Sequence, residues 1–140
     1  MIVTIEYKHF LKEVKNRINS ARIRVSLAAN AELLMFYWEL GNFMTDVSNK
    51  ATWGNNWLGQ LSKDLRQEFP DMEGFSKTNL YNIRRLYQFY GDDEFFHQFG
   101  GKIPWRHHVE IFTKAKSLNE AHFYIKQTLE NGWSRDILGL

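Results

Sequence analysis

Two fragments of the sequence have the residue types of a metal-dependent nuclease site, Pro70-Asp71 and Glu13-Val14-Lys15. In such sites an aspartate and a downstream (Glu/Asp)-x-Lys place two carboxylates on a divalent metal, while the lysine assists an attacking water. Here the order along the chain is reversed, with the ExK on a long helical pattern and the PD in a turn. A motif outside its structural context carries no chemistry. The histidines are His9, His97, His107, His108 and His122. His107 and His108 are adjacent and point different ways on a helix, and no HExxH or comparable spacing for zinc is present. They read as surface or partly buried hydrogen-bonding residues. The chain has no cysteine, which excludes thiolate-bound zinc and disulfides. No serine sits in a nucleophile elbow and no glycine-rich phosphate loop occurs. The expectation is a chain that is not an enzyme, with no catalytic residue, metal, cofactor or small-molecule substrate, and no DNA cleavage with magnesium or manganese.

Binding chemistry is better represented. The stretch "GFSKTNLYNIRRLYQFY", residues 74–90, has Ser76 placed to cap a helix by accepting from free amides near Asn79. Leu80, Ile83, Tyr87 and Tyr90 then share an apolar face at steps of three and four. The other side carries Thr78, Tyr81, Asn82, Arg85 and Gln88, with Lys77, Asn79 and Arg84 near its borders. Arginine bonds guanine or phosphate bidentately, asparagine pairs with adenine, and tyrosine reaches phosphate or stacks. The candidate nucleic-acid-binding residues are therefore Lys77, Thr78, Asn79, Tyr81, Asn82, Arg84 and Arg85. The preceding helical pattern ends at Phe69 before Pro70. The connection from there to Ser76 is longer than the tight turn of a helix-turn-helix, and it contains Asp71 and Glu73.

The elements that position these residues are helices. From Glu6 to Leu40 there is neither glycine nor proline, and apolar residues recur at helical spacing. "RIRVSL" alternates like a strand, but the helical period runs through it unbroken. The spacing predicts one helix over 6–40, ended by a polar loop that starts at Gly41. Its first half carries Lys8, Lys12, Lys15, Arg17, Arg22 and Arg24 against the single acid Glu13. A helix of that length, about 50 Å, outreaches a small domain, so Leu11, Val14, Ile18 and Val25 are the expected seam of a homodimer. Leu58, Leu61, Leu65 and Phe69 mark a second helix, and Pro104 opens another. Ser117 or Asn119 caps the helix that Gly132 ends, and "SRDIL" begins one more. Most of Trp38, Trp53, Trp57, Trp105 and Trp133 read as packing residues beside apolar neighbours. The chain is all-α, a single domain over 1–140 of five or six helices, with a helix-turn-helix-like central pair.

Composition is ordinary: 44% apolar, 24% charged and a net charge of +2 over 140 residues. No apolar run approaches the roughly 18 residues of a membrane span, and no signal-peptide pattern opens the chain. With no cysteine, a reducing cytoplasm and no membrane partner are expected.

"FYWELG", "WGNNWLGQLSKDLRQEFPDMEGFSKTNLYNIRRLYQFY", "PWRHH" and "LENGWSRDIL" resemble the N-terminal helical domain of the YhcG-like proteins. In that family the domain precedes a PD-(D/E)XK nuclease domain, often near restriction-modification genes. The resemblance implies a bacterial DNA-binding helical module without its nuclease half, either a fragment of a longer protein or a natural short form. The expected function is thus DNA binding or targeting of the kind that accompanies such a nuclease, with double-stranded DNA as partner. The alternative is a protein-interaction and dimerisation module without nucleic-acid binding.

Overall fold

Helix α1 (Ile5–Lys50) runs about 70 Å, and only its second half belongs to the body of the protein. The computed structural model describes residues 5–50 and 56–132. Trp53, Trp133 and the helix expected over 134–138 lie outside them. From Asn30 onward α1 is docked: Asn30 donates through Nδ2 to the carbonyls of Gly101 (2.7 Å) and Ile103 (3.0 Å), and Leu34, Tyr37 and Met44 are buried.

The helix does not end at Leu40 as its sequence suggested. Gly41 lies inside it and is buried. A Cβ there would sit 2.5 Å from the Ile83 carbonyl oxygen and 2.9 Å from Tyr87 Cβ. The glycine is a crossing point between two helices, where a missing side chain lets two backbones approach.

The partner at that crossing is α3 (Lys77–Tyr90). Its cap is the expected one, with Ser76 Oγ accepting from the Asn79 amide at 3.1 Å, and Gly91 ends it at φ +51. Leu80, Ile83 and Leu86 are fully buried and Tyr90 nearly so, whereas Tyr87 is only half-buried. The buried arc is wider than one face because α3 is central, flanked by α1, α2 (Trp57–Glu68) and α5 (Trp105–Lys114). From α2, Leu58 and Ser62 reach the interior, and Ser62 Oγ donates to the Phe75 carbonyl at 2.6 Å. Phe69, expected on the apolar face of α2, is its C-cap and is exposed.

The remaining elements close the far side: α4 (Glu94–Phe99), a 3₁₀ turn (Gly100–Lys102), α5 after Pro104, and α6 (Leu118–Asn131). Asp93 caps α4 and Ser117 caps α6, each side chain accepting from an amide three residues on. Gly132 ends α6 in the left-handed conformation, φ +63. Six α-helices and no strand occur among the described residues. Trp38, Trp57 and Trp105 all pack on the core.

Candidate nucleic-acid interface

The outer surface of α3 is a narrow strip, since three helices cover the rest. Lys77, Thr78, Tyr81 and Gln88 are exposed along it, and Asn82, Arg84 and Arg85 are half-buried at its edges. Tyr81 is the centre. The Arg84 guanidinium lies 5.6 Å from its ring centroid and that of Arg85 5.7 Å. Arg84 is also 5.8 Å from the Trp57 ring on α2, and its Nη1 donates to Ser48 Oγ at 3.4 Å, near the end of α1. Arg85 is held on the other side, 5.0 Å from the Phe112 ring on α5. Cation–π contacts of this kind contribute about 0.5–1 kcal/mol each at exposed sites. They hold two planar, permanently charged groups beside one exposed phenol, a fork suited to bidentate acceptors such as phosphate. The sequence of α3 contains no acidic residue.

Asn79 does not belong to this strip. Its Nδ2 donates to the Gly74 carbonyl at 2.7 Å and contacts Tyr37 Oη at 3.5 Å, while Oδ1 accepts from Trp105 Nε1 at 2.8 Å. Both ends of the amide are committed to joining α1, the loop before α3, and α5. Asn79→Ala is therefore expected to leave a partly buried carbonyl and an indole N–H short of partners and to cost about 1–3 kcal/mol of stability. Urea unfolding checks this: a midpoint unchanged from the parent would show that the amide holds nothing together. No sequence pattern marks this role, because the partners of Asn79 come from three separate elements.

The loop over 69–76 is pinned by the Ser62 and Asn79 bonds, and Gly74 within it has φ +98. It is longer than a tight helix-turn-helix turn, and Asp71 and Glu73 in it are exposed. Glu13, the carboxylate of the reversed nuclease pattern, pairs with Arg17 at 3.0 Å on α1. Among the described residues no three histidines or carboxylates gather as a metal site.

The expected self-association residues all lie on the first half of α1, which projects from the body. Leu11, Ile18 and Val25 are exposed there, and the side chain of Val14 is outside what the structure describes. A buried ionisable group lies at the other end of the fold. His108, on α5, is fully buried against the rings of Tyr90 and Phe96, and its Nε2 lies 2.7 Å from the Gly100 carbonyl. Nε2–H therefore donates, and Nδ1 is buried without a hydrogen-bond partner among the described residues. Desolvation holds this imidazole down to about 4, against the smaller opposing effect of the Gly100 carbonyl.

These features define an all-helical domain built round one central helix, with a cationic–aromatic strip as its outer edge. The chain belongs to the DUF1016 N-terminal domain family, whose model matches residues 13–139. That is the domain its sequence resembles. No curated protein and no solved structure matches. Among the described residues no helix is long and apolar enough to cross a membrane.

Proposed function

We propose that this chain is a non-catalytic helical module that binds duplex DNA through the outer strip of α3, of the kind that positions a nuclease in a restriction-modification setting. The observation that carries the reading is the pair of guanidiniums held on either side of exposed Tyr81, on a helix without an acid. Lys77 at the first turn adds an exposed cation, close to main-chain amides that favour an anion. Thr78, Tyr81 and Asn82 are the groups left to contact the duplex beside them. Asn79 takes no part, and Arg84, besides flanking Tyr81, joins α1, α2 and α3 through Ser48 and Trp57.

The test is duplex binding by single variants, followed by fluorescence anisotropy. Lys77→Ala is exposed and is expected to leave the melting temperature unchanged while weakening DNA binding. Arg85→Ala is expected to weaken it too, and each should lower the salt slope by about 1 if it neutralises one phosphate. Parent-like binding by both variants at low salt would remove α3 from the interface.

A second reading has its own observation. The first half of α1 projects from the body with exposed apolar residues along it, which suits a protein-interaction module that needs no nucleic acid.

A further inference from the structure

Helix α1 has two apolar faces. Leu34, Tyr37 and Met44 are buried in the body. On the other side of the helix Leu11, Ile18, Val25, Ala29, Phe36 and Phe43 recur at steps of four and seven, and all are exposed. Val25 retains 69% and Phe43 68% of its accessible surface. This second stripe begins on the projecting half and continues along the outside of the docked half. The charges beside it separate by sign. Six cations and one acid, Glu13, lie between Lys8 and Arg24, while Glu32, Glu39 and Asp46 follow further on.

We propose that the outer stripe seats a second copy of the chain, whose α1 pairs with it antiparallel about a two-fold axis close to Leu27. The stripe advances by seven residues in each half, so one register satisfies it throughout. Leu11 of one copy meets Phe43 of the other, Ile18 meets Phe36, and Val25 meets Ala29. The interface is isologous, so each contact occurs twice. A seven-residue repeat is the pattern of supercoiled helix pairs, and the paired length from Leu11 to Phe43 is about 50 Å.

Charge decides the direction. Arg17 and Arg24 lie on the same flank of the stripe as Glu32 and Glu39. Antiparallel pairing sets Arg17 beside Glu39 and Arg24 beside Glu32 of the second copy, positions where coiled helices exchange ion pairs. Parallel pairing would instead set the basic half of one copy against the basic half of the other. The Arg17–Glu13 pair within α1 is exposed on both sides, so it is weak and exchanges readily. The body completes the seat. Phe43 lines an apolar groove between α1 and α2 with Leu40, Trp57 and Leu61, and Asp64 is at its edge. Leu11 of the second copy enters at this groove, and Lys8 beside it faces the side where Asp64 stands. The inference does not depend on the DNA reading, and it names the partner that the interaction reading requires.

The chain has no cysteine, so introduced thiols report without background. Under mild oxidation, a mixture of the Ile18→Cys and Phe36→Cys variants is expected to form a mixed disulfide dimer. Ile18→Cys alone is not, because its two copies would stand about 27 Å apart along the axis, beyond disulfide reach. Sedimentation should give a dimer for the parent at high micromolar concentration and a monomer for Val25→Asp with unchanged helicity. Arg24→Glu should weaken the dimer, and adding Glu32→Arg should restore it. A monomeric parent, self-linking of Ile18→Cys as efficient as the mixture, or no rescue by the charge swap would each overturn the proposal. A stable dimer that ignores DNA would leave it intact, and a monomer that binds DNA would remove it alone.

Discussion

Gly41→Ala is expected to destabilise the protein by about 2 kcal/mol, although alanine favours helices over glycine by roughly 1 kcal/mol. The opposing effect is steric. The added Cβ would lie 2.5 Å from the Ile83 carbonyl oxygen and 2.9 Å from Tyr87 Cβ. Neither is the far end of a flexible side chain, so α1 and α3 must separate at their crossing. Overpacking of this kind costs about 1–3 kcal/mol or more, and a larger residue such as leucine should abolish the native packing. A loss of 2 kcal/mol lowers the melting temperature by roughly 6 °C in a domain of this size. Gly59→Ala supplies the control with the opposite sign. The nearest atoms to its Cβ would be Asn56 Oδ1 at 3.0 Å and side-chain carbons at 3.9 Å, and a terminal amide oxygen gives way. Thermal unfolding of the two variants should move in opposite directions. A Gly41→Ala protein as stable as the parent would mean that the helices do not cross so closely.

Acid should unfold the protein through His108. Its folded value is about 4 against an ordinary 6.5, so the folded state holds the neutral ring while the unfolded chain takes up a proton below pH 6.5. Stability is complete above that value and is lost as the pH falls toward 4, by about 3 kcal/mol at 1.36 kcal/mol per unit. Protonating Nδ1 would leave a charge among Tyr90 and Phe96 with no acceptor for that proton. His108→Gln keeps a donor within reach of the Gly100 carbonyl but cannot titrate. Urea midpoints at pH 7.5, 5.5 and 4.5 should therefore fall less for this variant than for the parent. Equal slopes would show that other groups control the acid response.

Much of the architecture is written in local signals. Ser76, Ser117 and Gly132 mark helix ends by chemistry that needs only a few neighbouring residues, and the structure uses each of them as the sequence suggests. Gly41 misleads because the same residue type that ends a helix also permits close helix crossing, and only the position of α3 distinguishes the two. The inner face of α3 includes Leu86 because helices cover it on three sides, which a single-face periodicity cannot anticipate. On its outer side Lys77, Thr78, Tyr81 and Arg85 are legible as a polar helix surface. Asn79 is not separable from them in sequence, since its bonds to Gly74 and Trp105 and its contact with Tyr37 are tertiary. Arg84 is intermediate: its place at the border of the apolar face foreshadows the contacts with Trp57 and Ser48.

The central claim, that the α3 strip meets duplex DNA, is tested most directly by titrating the parent protein against a labelled duplex at two salt concentrations. Binding that rests on Lys77, Arg85 and the cations beside them releases counterions, so affinity should fall steeply as salt rises, with a slope near −0.9 per phosphate neutralised. Binding that is absent at low salt, or that does not change between the two concentrations, would contradict it.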